Sequence, residues 1–297
     1  MPHVLVVGPS SWNTTVRVAS LPEPRPHTTF AQGWAQGLGG TSAGKALTLA
    51  ALGTDVTVRT VLGDDDAARD VAAALARPRI TLDVLPARDG ASERHVNLVD
   101  ATGGRVSVYL TLPEAADPVP PVRLDGVAAA VVDLAEHARP VLASARSAGV
   151  PVWCDVHDDD GTSGAYARAF TSAADVVVAS DVRLDDPAAY LRDRVAQGAR
   201  LAVVTRGAAG SLALDRDGRT YDVPPAPVPA AVQAEGAGDA FTAGLLVASL
   251  RGDDVARALA VASAAGGLAV CTPGLAAADA TLDAVDLLAD RVDVRVR

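Results

Sequence analysis

Near its carboxyl end the chain carries Glu235-Gly236-Ala237-Gly238-Asp239-Ala240-Phe241, two glycines and an alanine set directly before an acid. After Asp239 the pattern turns helical, with Phe241, Leu245 and Ala248 falling on one face. Gly236, Ala237 and Gly238 therefore stand at a helix N-terminus. Unpaired N–H groups and the positive end of the dipole favour an anion there, and small side chains allow it close approach. Phosphoryl transfer needs such a place, because the moving charge has to be stabilised by fixed donors. Asp239, in the first turn, can accept the proton of an attacking hydroxyl. The same residues also read as a tight loop followed by an acid favoured by the dipole alone.

The elements around this segment alternate. Val4–Val7, Val56–Val61, Ala128–Asp133, Val150–Asp155, Asp175–Ala179 and Leu201–Thr205 are short apolar runs bounded by Gly, Pro, Asp or Ser, and read as buried strands. Ser42–Leu52, Asp66–Ala76, Pro140–Ala148, Ser163–Thr171 and Pro187–Gln197 read as helices between them. Strand–helix alternation with continuously apolar strands predicts a mostly parallel sheet covered on both faces. Residues 12–37, rich in Pro, Thr and Gln, and residues 92–112 break the pattern. In the second, Arg94–Val99 and Arg105–Leu110 flank Asp100-Ala101-Thr102-Gly103-Gly104, a hairpin by turn chemistry and alternation. Both segments are expected to project from the main sheet as a lid. The stretch 224–229, with four prolines, reads as an extended loop leading into the site.

Bulk properties bound the function. With 297 residues and 49% hydrophobic content, the chain can bury a large core, and with only 3% aromatics that core must be built from Ala, Val and Leu. A net charge of -10 and no basic stripe argue against a nucleic-acid partner. The same charge repels anionic substrates unless local donors overcome it. Cys154 and Cys271 are too few for a disulfide framework and are expected to be buried thiols in a reducing compartment. The amino terminus lacks signal-peptide character and no apolar run reaches the ~18 residues of a membrane span, so a soluble cytoplasmic protein is expected.

Gly-Ala-Gly-Asp-Ala-Phe followed by Ala-Gly and a Leu-rich helix resembles the C-terminal signature of the ribokinase-like (PfkB-type) carbohydrate kinases. Gly39-Gly40-Thr41-Ser42-Ala43-Gly44-Lys45, running into a helix that ends in Leu52-Gly53, resembles that family's sugar-proximal Gly-Gly element. Gly63-Asp64-Asp65-Asp66 is similar to its Gly-x-Asp turn, and Thr205-Arg206-Gly207-Ala208-Ala209-Gly210 to its nucleotide loop. Ala262–Gly274 is similar to its terminal Ala-rich helix and turn. The correspondence runs in order along nearly the whole chain. It implies one kinase domain over residues 1–297 with a three-layer α/β/α ribokinase-like fold, a central mostly parallel sheet and a small β lid. It also implies ATP and Mg²⁺ as cofactors, a sugar or sugar-like alcohol as acceptor, and a homodimer formed through the lid.

Carried over by position, the resemblance makes Asp239 the base and the N–H groups of Gly236, Ala237 and Gly238 the anion hole. Thr205, Gly207 and Gly210 lie beside the nucleotide, and Gly39 and Gly40 approach the acceptor. Several positions depart from the pattern. Asn13 stands where an Asp usually grips sugar hydroxyls, and Gly44 where an Asn is usual. The adjoining Lys45 either meets an anionic acceptor or is an exposed helical lysine. Gln233-Ala234 replaces an Asp-Thr associated with a monovalent cation, so potassium activation is not expected, and Glu235 either affects metal or nucleotide or faces solvent. The Mg²⁺-associated Asn-x-x-Glu is absent near Ser180–Arg183, which leaves Asp181 and Asp185 as candidate metal ligands. His157, after Asp155, is read as structural or acceptor-lining. Arg94 and Arg105 in the lid are candidate acceptor or phosphate contacts, or ordinary exposed strand arginines. Two other readings stay open: a nucleoside kinase, with Trp12, Phe30 and Trp34 lining a base cleft, and a non-catalytic nucleotide or sugar sensor.

Overall fold

The computed structural model describes residues 2–297 apart from 102, 163, 230 and 234. Ala234 of the segment before the glycines, Thr102 of the hairpin turn and Ser163 at the expected helix start thus lie outside the described residues. In chain order the first half comprises β1 (His3–Val7), β2 (Ser11–Arg17), β3 (Gly33–Gly39), α1 (Thr41–Ala51), β4 (Asp55–Leu62), α2 (Asp66–Leu75), β5 (Ile80–Pro86), β6 (Arg94–Val99) and β7 (Arg105–Thr111). Then follow β8 (Val127–Val132), α3 (Arg139–Ser147), β9 (Val152–Asp155), α4 (Ala165–Thr171), β10 (Val176–Ser180), α5 (Pro187–Ala196) and β11 (Leu201–Thr205). The chain closes with β12 (Ser211–Asp215), β13 (Thr220–Val223), α6 (Ala237–Arg251), α7 (Val255–Val270), α8 (Leu282–Ala289) and β14 (Arg295–Val296).

Among the described residues, ten strands form one sheet in the order β14-β13-β12-β11-β10-β9-β8-β1-β4-β5. From β11 to β5 every neighbouring pair is parallel, whereas β12, β13 and β14 add an antiparallel edge. Alternate residues feed opposite faces. Val4 and Val6 of β1 pack with α1, α2, α6, α7 and α8, while Leu5 and Val7 pack with α3, α4 and α5. The result is the three-layer α/β/α arrangement. Because both faces are covered, the central strands lack the polar alternation of a half-exposed sheet, which is why their sequences read as unbroken apolar runs.

The second sheet has four strands in the order β3-β2-β6-β7, drawn from the two segments that break the alternation. β6 and β7 form the expected hairpin, and β2 bridges it to β3. Helix α6 differs from the expected one-faced pattern: residues 239–248 are buried all round, because α6 runs between neighbours including α1 and α7. Cys154 is buried, while Cys271 is only partly so, a correction to the expected pair of buried thiols.

Candidate active site

The polar groups of interest gather at the carboxyl ends of the parallel strands, where loops leave an α/β sheet and a crevice can open. Asp133 follows β8 directly, its N–H donating to the Val7 carbonyl at 2.9 Å, and Asp155 is the last residue of β9. Two helices point their first turns at the same place. Helix α1 starts after Gly40 and α6 after Gly236, and neither cap residue supplies a side-chain hydrogen bond. Gly236 holds φ at +73°, and a Cβ there would collide with Ala276. That left-handed turn aims the N-terminus of α6 with no side chain in front of it.

Thr41 and Lys45, four residues apart, share one face of α1. Thr41 Oγ1 donates to Asp239 Oδ1 at 2.5 Å. Lys45 Nζ lies 3.1 Å from the same oxygen, 3.0 Å from Asp133 Oδ1 and 3.2 Å from Asp155 Oδ2, and also hydrogen-bonds Thr41 Oγ1. Ser42 Oγ donates to Asp133 Oδ2 at 2.7 Å. Lys45 is fully buried, so the exposed helical lysine expected as its ordinary role is corrected: the residue sits at the junction of α1, α6, β8 and β9. Gly44 is there for proximity, since a Cβ on it would stand 2.6 Å from Asp239 Oδ2. Among the described residues no group hydrogen-bonds Oδ2. One oxygen of Asp239 is therefore anchored twice and the other left clear.

Burial by itself would push Lys45 toward the neutral amine, but Asp133, Asp155 and Asp239 together outweigh it and hold its pKa above the ordinary lysine range. Burial raises the Asp133 carboxyl despite the Lys45 charge. At Asp155 burial acts in the same direction, but Lys45, His157 and the His157 N–H prevail and the pKa is lowered. His157 Nδ1 is 3.7 Å from Asp155 Oδ1, so the histidine buttresses this cluster.

The lid brings a second set of groups. Asn13 Oδ1 accepts from the His95 N–H at 3.2 Å, and its amide nitrogen lies over Gly39, where a Cβ would overlap it. With its oxygen engaged, Asn13 presents N–H donors. Thr15 and Asn97 are cross-strand neighbours on the same sheet face, and Asn97 Oδ1 is buried with no partner among the described residues. Thr15 Oγ1 donates to Glu235 Oε1 at 3.4 Å, so Glu235 links the glycine loop to the lid. His95 Nε2 and Glu93 Oε1 pair at 2.8 Å beneath Tyr109. Arg94 turns to Asp65 at the start of α2, 4.0 Å away, and Arg105 is exposed at the distal end of β7. Phe30 and Trp34 are 82% and 70% exposed and Trp12 packs on the main core, so these aromatics do not assemble a base cleft.

Thr205 ends β11 with its hydroxyl donating to the Ala179 carbonyl at 3.2 Å. Gly207 and Gly210 bound the next turn, and Arg206 is tied to Asp222 at 2.8 Å. Asp181 opens a short 3-10 turn after β10, and Asp185 is exposed beyond it. Among the described residues no group of three or more His, Cys, Asp and Glu side chains is arranged to hold a metal ion. Gln233 donates its side-chain amide to the Gly274 carbonyl. Sequence reasoning missed Thr41, Ser42, Asp133 and Asn97. The available signal was an acid at the end of two adjacent apolar strands, Asp133 and Asp155, with a buried-helix lysine one turn beyond Thr41.

This sheet, its β lid and the helix N-termini at the strand ends are the architecture of ribokinase-fold kinases. The structure of a microbiome-derived acarbose kinase matches it with a TM-score of 0.82 and 29% identity, covering 98% of this chain and 99% of that one. Residues 1–281 match the family described as pfkB family carbohydrate kinase, and the chain belongs to that family. An acarbose 7(IV)-phosphotransferase from Actinoplanes sp. is 32% identical over 91% of this chain and 92% of its own length. An ATP-dependent ribose-1-phosphate kinase from Halopiger xanaduensis is 31% identical over 99% and 100% respectively. The protein is an ATP-dependent kinase of the sugar and nucleoside class. No helix among the described residues is long and apolar enough to cross a membrane.

Proposed function

We propose that the protein transfers the γ-phosphoryl group of ATP to a hydroxyl of a sugar or sugar-like molecule, with Asp239 as general base and the N–H groups at Gly236–Gly238 as the anion hole. The observation that carries this reading is the state of the Asp239 carboxylate. It lies in the first turn of α6, with Oδ1 fixed by Thr41 and Lys45 and Oδ2 clear. The acceptor oxygen attacks the γ-phosphorus, an O–P bond forms, and the bond to the β–γ bridging oxygen breaks. The acceptor proton passes to Asp239 Oδ2, and ADP departs with the electron pair of the broken bond. The uncapped start of α6 faces the charge that develops on the transferred group.

Thr205, Gly207 and Gly210 flank the nucleotide in this reading, and Asn13, Gly39, Gly40 and the lid's inner face meet the acceptor. The described side chains build no metal cage. Mg²⁺, which is commonly held by one or two carboxylates plus substrate phosphates, would enter with ATP, with Asp181 and Asp185 as the candidate carboxylates to touch it. The lid's other face carries Trp34 and Val106 in one cross-strand row, with Val108 beside it, all exposed. Pairing of two lids in a homodimer would cover them, and light scattering on the purified protein tests it.

The relatives point the acceptor search at carbohydrates. A panel of acarbose, maltose, ribose, ribose-1-phosphate, fructose and adenosine, coupled to ADP release, is expected to give turnover with a carbohydrate. Turnover confined to adenosine would replace the acceptor class, and ADP release undiminished in Asp239→Asn would remove the base assignment.

A further inference from the structure

Lys45 is a buried charge that the phosphoryl-transfer scheme does not itself use. Its ammonium has three N–H bonds, and three carboxylates lie within 3.2 Å of it. It is fully enclosed, so it reaches neither nucleotide nor acceptor directly. A lysine buried only for stability gains little over well-packed apolar residues, since desolvation cancels most of the attraction. Here three acids converge on one cation, and Asp239 is the most open of them: its side chain is 11% exposed, against 0% for Asp133 and 6% for Asp155.

We propose that Lys45 is a positioning residue for Asp239: seated on Asp133 and Asp155, it fixes Oδ1 together with Thr41, while the bare Cα of Gly44 keeps Oδ2 free for the acceptor's proton. The proposal rests on Asp239 being the base. It treats residues 44 and 45 as one device, because a side chain at 44 would displace the carboxylate that the ammonium holds. It also assigns Asp133 and Asp155 a role at one remove. They keep the lysine charged and fix its height in the cluster, and Ser42 in turn fixes Asp133.

The charge balance of the junction gives a readout that packing alone does not. The groups facing Lys45 are Asp133 after β8, Asp155 on β9 and Asp239 on α6, with His157 behind Asp155 and the raised Cys154 thiol beside them. Without the ammonium, three carboxylates share one buried space, and like charges there take up protons at higher pH. The acid limb of kcat therefore moves to higher pH when Lys45 is removed.

The test compares Lys45→Met, Gly44→Ala, the double variant Lys45→Met/Asp133→Asn and Asp239→Asn, measuring kcat, KM for ATP, the pH profile and thermal stability. Lys45→Met is expected to lower kcat about 100-fold, the scale of a slightly misplaced catalytic group, with KM for ATP changed by less than about threefold. The double variant removes one charge of each sign and guards against a fold that three unpaired acids would not tolerate; its kcat stays low although its stability recovers. Gly44→Ala keeps the helix and the ammonium, and lowers kcat by pushing Oδ2 aside. A kcat within about threefold of wild type in the double variant or in Gly44→Ala, with the acid limb in place, overturns the proposal. If Asp239→Asn is itself inactive in that case, only the role of Lys45 falls. An active Asp239→Asn removes the base reading, and this proposal with it.

Discussion

The two helices that meet at the site begin differently from four of the helices around them. Helices α2, α5, α7 and α8 start on Asp65, Asp186, Asp254 and Thr281, each of whose side chains accepts from a backbone N–H in the first turn. Helices α1 and α6 start on Gly40 and Gly236, with positive φ and no side-chain cap. A cap satisfies orphan N–H groups at the helix's own expense of binding capacity. Those four use their N-termini for stability; α3 and α4, which start on Ala138 and Gly164, also lack a side-chain cap but keep negative φ there. The two site helices leave their N-termini available behind a positive-φ glycine and place Thr41, Lys45 and Asp239 in the adjoining turns.

Breaking the contrast at its functional end gives the largest effect. Asp239→Asn is expected to lower kcat by roughly 10³-fold, within the range for a lost general base, with a much smaller change in ATP affinity. Steady-state ADP release checks it. Gly236→Ala comes next. Its φ of +73° and the collision with Ala276 should cost about 1–2 kcal/mol in urea unfolding and weaken ATP binding together. At the scaffold end, Asp254→Ala removes the bond from the Arg257 N–H at 2.8 Å and should cost about 1 kcal/mol of stability while kcat stays unchanged. Equal losses of activity in Asp254→Ala and Gly236→Ala would erase the distinction between the two kinds of helix start.

The smallest effect, absent at neutral pH, concerns His137, which follows β8 closely. Burial lowers its pKa from 6.5 to about 4. The native ring stays neutral where the unfolded chain binds a proton, so unfolding free energy should fall as pH drops from about 6.5 to about 4. Loss from depressed carboxylates such as Asp155 comes in only as the pH falls toward and below their ordinary value of 3.8, which separates the two windows. Asp133, with its raised pKa, adds stability as pH falls over part of the same range. The comparison is therefore wild type against His137→Gln, and an unchanged profile in that variant would count against a neutral native ring.

Legibility in the sequence followed locality. The six central strands were readable because burial on both faces leaves a continuous apolar run, and the β6–β7 hairpin because its turn residues are adjacent in sequence. β5, β12 and β13 carried mixed patterns, since each is only partly buried, and β14 is a two-residue exposed edge. At the site, the Gly236–Asp239 turn was visible as a helix start. The partner at Lys45 was not, because a lysine on a helix is ordinarily solvated and nothing local marks three acids from distant segments as its neighbours.

The sequence by itself determined the alternating α/β pattern, the family signature and a glycine-led N-terminus ending in Asp239, because each depends on residues a few positions apart. Tertiary structure alone decided that Lys45 is buried among Asp133, Asp155 and Asp239, that Gly44 is small to admit the Asp239 carboxylate, and that Asn13 offers a donor. Those properties arise where α1, α6 and the ends of β8 and β9 converge, and the desolvation and pairing of a charge are set by what surrounds it in space.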